Sequence, residues 1–457
     1  MSYIEFLKQK SSIDPDTGLA SIPPLNPMLH AHQADMVKWA LKRGRAAIFA
    51  DCGLGKGPMQ MEWATRQPHD ALIVAPLAVA HQFVREAEKF GIDLAYAKDQ
   101  SQITKRITVT NYERLENFHI EQFGAVALDE SSILKNSSGA YSTWMIEAFK
   151  QTPFRLCSSA TPAPNDVMEL GTQAEFLGVM TRSEMLAMYF THDGGDTSKW
   201  RVKGHAQAAF WSWMASWAVM IRKPSDLGYS DDGFILPPLH MHEQCVSVAN
   251  PTSGFLFAIE AHTLQERQQA RRDSIGDRVK ACADIVNASD KPFLVWCNLN
   301  AESEALAAAI PGAVEVQGSD TDDHKEKAIA GFLDGSIRVI VSKPKIMGLG
   351  LNFQHCADMA YVGLSDSYEQ LYQSIRRCWR FGQTSPVNVH VITAETEGAV
   401  VSNIKRKERE AEETYNNMIE HMKDLNAAAL HGGTVRNKTE YLPTVAMEIP
   451  DFMRCAA

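Results

Sequence analysis

The chain has 457 residues, too many for one ordinary hydrophobic core, so its length favours two α/β domains with additions. Its hydrophobic content of 45% and charged content of 22% are those of an ordinary globular protein, and no apolar run is long enough to cross a bilayer. The formal net charge of −10 argues weakly against a nucleic-acid partner, because a local basic groove and not the average charge decides such binding.

The N-terminus lacks the charged-then-apolar pattern of a signal peptide, so we expect a cytoplasmic protein with no membrane partner. Residues 1–28 are polar, contain prolines near their end and predict an N-terminal arm. The eight cysteines are scattered and form no C-x-x-C pair. Free buried thiols are therefore favoured over a disulfide framework or a zinc site. Separately from the cysteines, we expect a monomer.

A phosphate-binding loop is predicted after the first strand. Leu29 opens an amphipathic helix that stops at Gly44, and residues 46–49 form a buried strand. Residues 50–57 (ADCGLGKG) follow and lead into a helix. Glycines let backbone N–H groups surround an anion, the helix N-terminus adds positive charge, and Lys56 adds an ammonium for the phosphates. The residues predicted to bind the nucleotide here are Gly53, Leu54, Gly55, Lys56 and Gly57.

Strands and helices alternate through the first half of the chain, as in a parallel sheet covered on both faces. The further predicted strands span residues 71–76, 107–111, 125–128 and 154–159. Functional groups lie beyond the carboxyl ends of such strands, where Asp129 and Glu130 follow the third of these. Next to a phosphate loop, Asp129 is predicted to hold Mg²⁺ and Glu130 to activate the attacking water. An acidic pair in a turn is the simpler alternative.

A second α/β pattern begins near residue 240, after a segment of about 178–235 that breaks the first. A charged helix is predicted at about 263–286. The predicted strands that follow span residues 293–297, 314–316, 338–341, 359–362 and 387–392. A stretch rich in Lys, Arg and Glu at 403–430 predicts a long surface helix, and residues 431–457 resemble a loose tail.

Two arginines in the second half carry a catalytic prediction. Residues 373–383 read QSIRRCWRFGQ, in which Arg377 and Arg380 are three apart and would share one face of a helix. Two guanidinium groups aimed at the γ-phosphate would stabilise transition-state charge as arginine fingers. A solvated basic helix is the alternative.

The ordered motifs resemble the superfamily-two helicases, specifically the Swi/Snf branch and its compact prokaryotic and phage relatives. The similar segments, in family order, are residues 29–33, 51–57, 72–82, 107–115, 129–136, 159–165, 348–352 and 373–383. The L-K-N that follows the acidic pair and the trailing G-Q are features of this branch. The resemblance covers roughly residues 29–395.

The resemblance implies an α/β fold of two RecA-like lobes, 29–238 and 239–430, with a helical insertion at about 178–235 in the first lobe. ATP and Mg²⁺ would lie in the cleft, and hydrolysis would require lobe closure. Besides the groups named above, the implied nucleotide-binding residues are Gln33, Gly350 and Gln373. The implied activity is ATP-driven translocation on duplex DNA, whose backbone would be contacted without reading sequence. The candidate contacts to DNA are Thr110, Asn111, Ser342 and Asn352.

An aromatic group in the insertion permits two interpretations. Its members are Phe210, Trp211, Trp213 and Trp217. They could stack on bases, but their spacing favours packing of a helix face into the core.

Gly57 departs from the family, which has Thr or Ser there to help hold Mg²⁺. Loss of that ligand predicts a rate lower by about an order of magnitude or more. Three accounts stay open: a slow enzyme, an ATP-binding switch that hydrolyses poorly, or a substitution that traps a bound state. The alternatives to a DNA translocase are a nucleotide-gated DNA scaffold, which Gly57 favours, and an RNA or single-strand helicase.

Overall fold

The computed structural model describes residues 16–136, 139–164, 166–193, 196–247, 271–347, 351–365 and 367–431. Within these ranges the chain forms two all-parallel sheets and one antiparallel hairpin. The predicted α/β fold of two parallel-sheet lobes is confirmed. None of the helices in the described ranges has the length and apolar character that crossing a bilayer requires.

Lobe 1 contains the first sheet. Its strands are β1 (Arg45–Ala50), β2 (Ala71–Ala75), β3 (Leu94–Tyr96), β4 (Ile107–Asn111), β5 (Ala125–Asp129), β6 (Phe154–Ser158) and β9 (Ala218–Ile221). Their order across the sheet is β3-β4-β2-β5-β6-β1-β9. The helices of this lobe are α1 (Ala31–Arg43), α2 (Lys56–Arg66), α3 (Leu77–Phe90), α4 (Ala140–Ala148), α5 (Leu170–Leu177), α6 (Arg182–Tyr189) and α7 (Gln207–Trp217). Between α6 and α7 lies the hairpin of β7 (Phe190–Asp193) and β8 (Asp196–Val202).

Lobe 2 contains the second sheet. Its strands are β10 (Leu239–Val246), β11 (Phe293–Cys297), β12 (Ala313–Val316), β13 (Val339–Ser342), β14 (Asp358–Val362) and β15 (Val387–Ala394). Their order is β10-β15-β14-β11-β13-β12. The helices are α8 (Ile275–Asn287), α9 (Asn300–Ala309), α10 (Asp322–Asp334), α11 (Pro344–Met347), α12 (Tyr368–Ile375) and α13 (Gly398–Leu430).

The apolar runs predicted as strands are buried at every residue in β2, β4, β5, β6, β11 and β14. This is what a parallel sheet with both faces covered requires, because neither face meets water. Two strands of the lobe 1 sheet and both strands of the hairpin were not predicted. The three-residue β3 is too short to give a periodic signal, and β9 lies within the segment of about 178–235 that breaks the first α/β pattern.

The aromatic group of α7 belongs to the core of lobe 1. Trp217 is fully buried and meets Phe49 of β1 edge to face, with ring centroids 6.2 Å apart. The other three members, Phe210, Trp211 and Trp213, are buried in the same cluster. Core packing is therefore confirmed over base stacking, since rings enclosed in protein cannot stack on a base.

Helix α13 connects the two lobes, and the predicted surface helix over 403–430 is wrong in its C-terminal half. Near its start, Val400 is buried in the core of lobe 2. Three later side chains lie in the core of lobe 1: Met418, Ile419 and Met422. Arg222 of lobe 1 also donates to the Asn416 side chain, with 2.7 Å between Nη1 and Oδ1. The charged residues dominate the composition and conceal this short apolar stripe.

Shortening the Met422 side chain should loosen this connection. Met422 is 0% exposed, so Met422→Ala leaves a cavity and should lower the free energy of unfolding by about 2–5 kcal/mol. Urea unfolding followed by tryptophan fluorescence measures the change, because α7 contributes buried tryptophans. Lys423→Ala, on the exposed side of the same helix, is the control. Equal stability of the two variants would contradict the docking of α13 on lobe 1.

Candidate active site

The phosphate loop depends on two glycines with left-handed backbone. Gly53 has φ of 90° and Gly55 has φ of 80°, values that residues with a side chain rarely adopt. A Cβ on Gly55 would also lie 2.2 Å from the Gln33 amide nitrogen. Gln33 donates to the Leu54 carbonyl at 3.0 Å and accepts from the His30 N–H at 2.9 Å. The Gln33 side chain therefore holds the loop from the side of α1.

Lys56 is the first residue of α2, and its ammonium lies at the end of β1. Its Nζ donates to the Ala50 carbonyl at 2.9 Å. It is also close enough to Asp129 to oppose the rise in that carboxyl's pKa. The loop thus places a cation and a helix N-terminus at one point, as an anion site requires.

The acidic pair lies at the carboxyl end of β5, as predicted. Glu130 adopts left-handed backbone with φ of 56°, and its Oε2 accepts from the Ser159 hydroxyl at 3.2 Å. Asp129 Oδ1 accepts from the Gln60 amide at 2.7 Å. Burial, together with the neighbouring Glu130 carboxylate, raises the pKa of Asp129 to about 7. Two buried carboxylates side by side create a demand for positive charge.

A magnesium ion fits this demand. Asp129 offers a carboxylate, and Gln60 Oε1 is a buried oxygen that accepts no hydrogen bond from any described residue. Within the described ranges, no cluster of three or more His, Cys, Asp or Glu side chains could hold a metal ion. Phosphate and water oxygens would therefore complete the shell, which is how Mg²⁺ is commonly bound beside a nucleotide.

Lobe 2 reaches the phosphate loop through an ion pair that the sequence did not predict. Arg376 Nη2 lies 2.8 Å from Asp51 Oδ2 and donates to the Cys52 carbonyl at 3.0 Å. The Tyr372 hydroxyl donates to Asp51 Oδ1 at 2.7 Å. The side chains of Asp51 and Arg376 are 8% and 6% exposed, so the pair is nearly sealed from water.

Arg377 and Arg380 face the same cleft, although not for the predicted reason. Helix α12 ends at Ile375, so the two arginines lie in the following turn and share no helix face. Both donate to the Leu351 carbonyl at 3.4 Å, which brings their side chains together. Burial beside Arg377 lowers the pKa of Arg380 to about 10. The positive charge of Arg377 also acts to lower the pKa of Asp129 across the cleft.

Further contacts close the cleft along its length. Gln373 donates to the Thr161 hydroxyl at 3.1 Å, which joins the predicted nucleotide motifs of the two lobes. Lys135 forms an ion pair with Glu369. A Cβ on Gly53 would lie 2.8 Å from the backbone nitrogen of Phe381, so the glycine permits the close approach of the lobes. Gly350, predicted on the nucleotide side, lies outside the described residues.

The four candidate DNA contacts are engaged within the protein. Thr110 is fully buried and donates to the Ala97 carbonyl at 2.9 Å, and Ser342 is fully buried and donates to the Val316 carbonyl at 2.8 Å. Asn111 accepts from the Tyr96 hydroxyl at 2.9 Å. Asn352 donates across the lobes to Glu86 at 3.3 Å. Their contacts to DNA stay predictions, and Thr110 and Ser342 would first have to leave these bonds.

Sequence reasoning missed Arg376, Tyr372 and Gln60. Arg376 stands beside Arg377 in an Arg-Arg pair, but helical spacing singles out only Arg377 and Arg380, which are three residues apart. Tyr372 precedes Arg376 by four residues, a spacing that places both side chains on the same face of a helix. Gln60 lies one helical turn beyond Gly57. That spacing indicates that the Gln60 side chain lies on the metal side of the loop.

The comparisons with known proteins agree with the geometry. Residues 277–382 match the helicase conserved C-terminal domain, and this range includes the three arginines of the cleft, Arg376, Arg377 and Arg380. Over 411 residues the chain is 22% identical to the mouse DNA annealing helicase and endonuclease ZRANB3, covering 79% of this chain and 38% of that protein. Over 435 residues it is 23% identical to the Drosophila melanogaster SWI/SNF-related matrix-associated actin-dependent regulator of chromatin subfamily A-like protein 1, covering 86% and 56%.

These matches support the resemblance of the chain to the Swi/Snf branch of the superfamily-two helicases. The chain spans 38% and 56% of the length of these two relatives. Both are animal proteins, so the predicted prokaryotic or phage origin stays a prediction. The solved Sulfolobus solfataricus SWI2/SNF2 ATPase core in complex with dsDNA is similar at 16% identity and a TM-score of 0.40, covering 90% of this chain and 98% of that one.

Removing the interlobe cation should open the cleft. Arg376→Gln leaves Asp51 buried without its partner, which costs about 3–5 kcal/mol for a pair of this kind. We expect the nucleotide-free protein to show a larger radius of gyration in small-angle X-ray scattering. Arg406→Gln, which removes exposed contacts with Glu410 and Asn403 on one helix, is the control. Superimposable scattering curves for the Arg376 variant and the unmodified protein would contradict the assigned role.

Proposed function

We propose that this protein is a Swi/Snf-branch helicase that hydrolyses ATP between its lobes and uses the closing and opening of the cleft to move along duplex DNA. The observation that carries the proposal is the convergence of a phosphate loop and an acidic pair from lobe 1 with Arg377 and Arg380 from lobe 2. Each of these elements has a defined part in phosphoryl transfer. DNA is favoured because the mouse relative is named as a DNA annealing helicase.

In this proposal each side chain acts from the position described above. Lys56 binds the terminal phosphates, and Asp129 holds the metal. A bound Mg²⁺–ATP supplies the triphosphate and the Lewis acid. Glu130 accepts the proton of the attacking water and is oriented by the Ser159 hydroxyl. Arg377 and Arg380 stabilise the charge that develops on the transferred phosphoryl group, and they reach it only while the lobes are closed.

Because the arginines and the acidic pair sit on different lobes, hydrolysis is tied to closure. Opening of the cleft then separates the catalytic groups and lets both lobes exchange their contacts with the DNA backbone. This coupling is what converts a chemical cycle into movement. Backbone contacts position such a motor without selecting a sequence.

Replacing Glu130 tests the chemical part. Glu130→Gln keeps the size of the side chain but cannot accept the proton, so ATP turnover should fall by about 10²- to 10⁴-fold. Binding of a fluorescent ATP analogue should persist. Phosphate release is measured with duplex DNA, single-stranded DNA and RNA in parallel, with the exposed Glu147→Gln as control. Unchanged turnover in Glu130→Gln would overturn the proposed catalytic base.

The same assay separates the alternatives. A nucleotide-gated DNA scaffold is favoured by Gly57, and it predicts ATP binding with no DNA-stimulated turnover even after Gly57→Thr. An RNA or single-strand helicase predicts stimulation by those polymers over duplex DNA.

Salt provides a second test of the DNA partner. If a basic groove neutralises about six phosphates, affinity for duplex DNA should fall on the order of a thousandfold between 50 and 200 mM salt, because counterions are released on binding. Fluorescence anisotropy of a labelled duplex measures this. The chain has a formal charge of −10, so only a local basic groove could attract DNA. An affinity that does not change with salt would contradict such a groove.

A further inference from the structure

The residue after the phosphate-loop lysine is glycine, and this leaves the metal side of the site short of one oxygen. In loops of this type, a Ser or Thr hydroxyl at that position is a magnesium ligand. A Cβ on Gly57 would lie 3.0 Å from Glu86 Oε2 and 3.8 Å from the Phe83 ring. The space beside residue 57 is therefore limited by the end of the Glu86 side chain.

Gln60 lies one helical turn beyond Gly57 and turns toward the metal carboxylate. Its Nε2 donates to Asp129 Oδ1 at 2.7 Å, and the residue is only 1% exposed. Its Oε1 is enclosed in the protein and accepts no hydrogen bond from any described residue. A buried amide oxygen without a donor is unfavourable, and it marks a place where a partner from outside the chain completes the contacts.

We propose that Gln60 replaces the missing hydroxyl as the positioning residue of the magnesium site. Its Nε2 fixes the orientation of Asp129, and its Oε1 is offered to the ion or to a water of its shell. Amide carbonyl oxygens belong to the ligands that hard cations accept. This inference rests on the proposed nucleotide function and adds a residue that compensates for Gly57.

The proposal predicts that positions 57 and 60 depend on each other. With glycine at 57, the amide of Gln60 is needed, and its loss should weaken magnesium binding. With threonine at 57, the hydroxyl returns and the amide becomes dispensable. Gly57→Ala is the matched control because it adds the same Cβ near Glu86 without a hydroxyl.

The experiment measures binding and not turnover. A fluorescent ADP analogue is held at fixed concentration and Mg²⁺ is titrated, for Gln60→Met in the Gly57, Gly57→Ala and Gly57→Thr backgrounds. Gln67→Met is the control for loss of a buried amide, since Gln67 is 3% exposed and lies just beyond the other end of α2. In the Gly57 background, Gln60→Met should raise the Mg²⁺ requirement about 10- to 100-fold, the usual effect of an outer-shell partner. ADP binding in EDTA should stay the same.

The outcomes are distinct. In the Gly57→Thr background, the effect of Gln60→Met should shrink to about threefold or less, since the ion regains a direct ligand. An equal loss in all three backgrounds, or no loss in the first, would overturn the role of Gln60. Gln60→Asn, which keeps the amide but is too short to reach Asp129, gives the same test if the Met variant does not fold. Failure of the unmodified protein to bind ADP at all would instead overturn the proposed function.

Discussion

The arrangement of the cleft depends on the buried ion pair of Asp51 and Arg376. Asp51 directly follows β1 and accepts hydrogen bonds from Arg376 and Tyr372 of lobe 2 as well as from the Cys52 N–H. The net stability from such a pair is modest, because both charges lose their hydration, but leaving either partner alone is costly. In the observed arrangement both carboxylate oxygens of Asp51 and the Nη2 of Arg376 have partners, so the pair couples the position of lobe 2 to the conformation of the phosphate loop.

The charges around this pair are sorted by lobe. Burial beside Glu130 raises the pKa of Asp129, whereas burial beside Arg377 lowers the pKa of Arg380. Lobe 1 thus holds two carboxylates close together, and lobe 2 holds two guanidinium groups close together. Neither pair of like charges is fully neutralised by the protein. A metal–nucleotide complex carries both of the opposite charges that are needed: its cation would neutralise the carboxylates, and its phosphates would neutralise the arginines. The electrostatics therefore favour a ligand of that composition in the cleft.

Helix α13 adds a second mechanical connection. It starts in the core of lobe 2 and ends in the core of lobe 1, with Met422 fully buried at its far end. Movement of the lobes must therefore be absorbed within this helix or at its contacts. Helix α13 packs against α7, and Trp217 of α7 contacts Phe49 of β1, so α13 is linked through α7 to the strand that leads into the phosphate loop.

The sequence by itself determined the two parallel sheets, the phosphate loop, the acidic pair after β5 and the arginines of the second half. Those features are local: apolar runs of strand length, glycines before a lysine, and charged groups at strand ends each carry their own signal. The docking of α13, the strand β9 and the partners of Arg376 and Gln60 were decided by the tertiary structure. They depend on which surfaces meet after the chain has folded. Asp51 and Arg376 are 325 positions apart, and no pattern of neighbours in the sequence specifies that they meet.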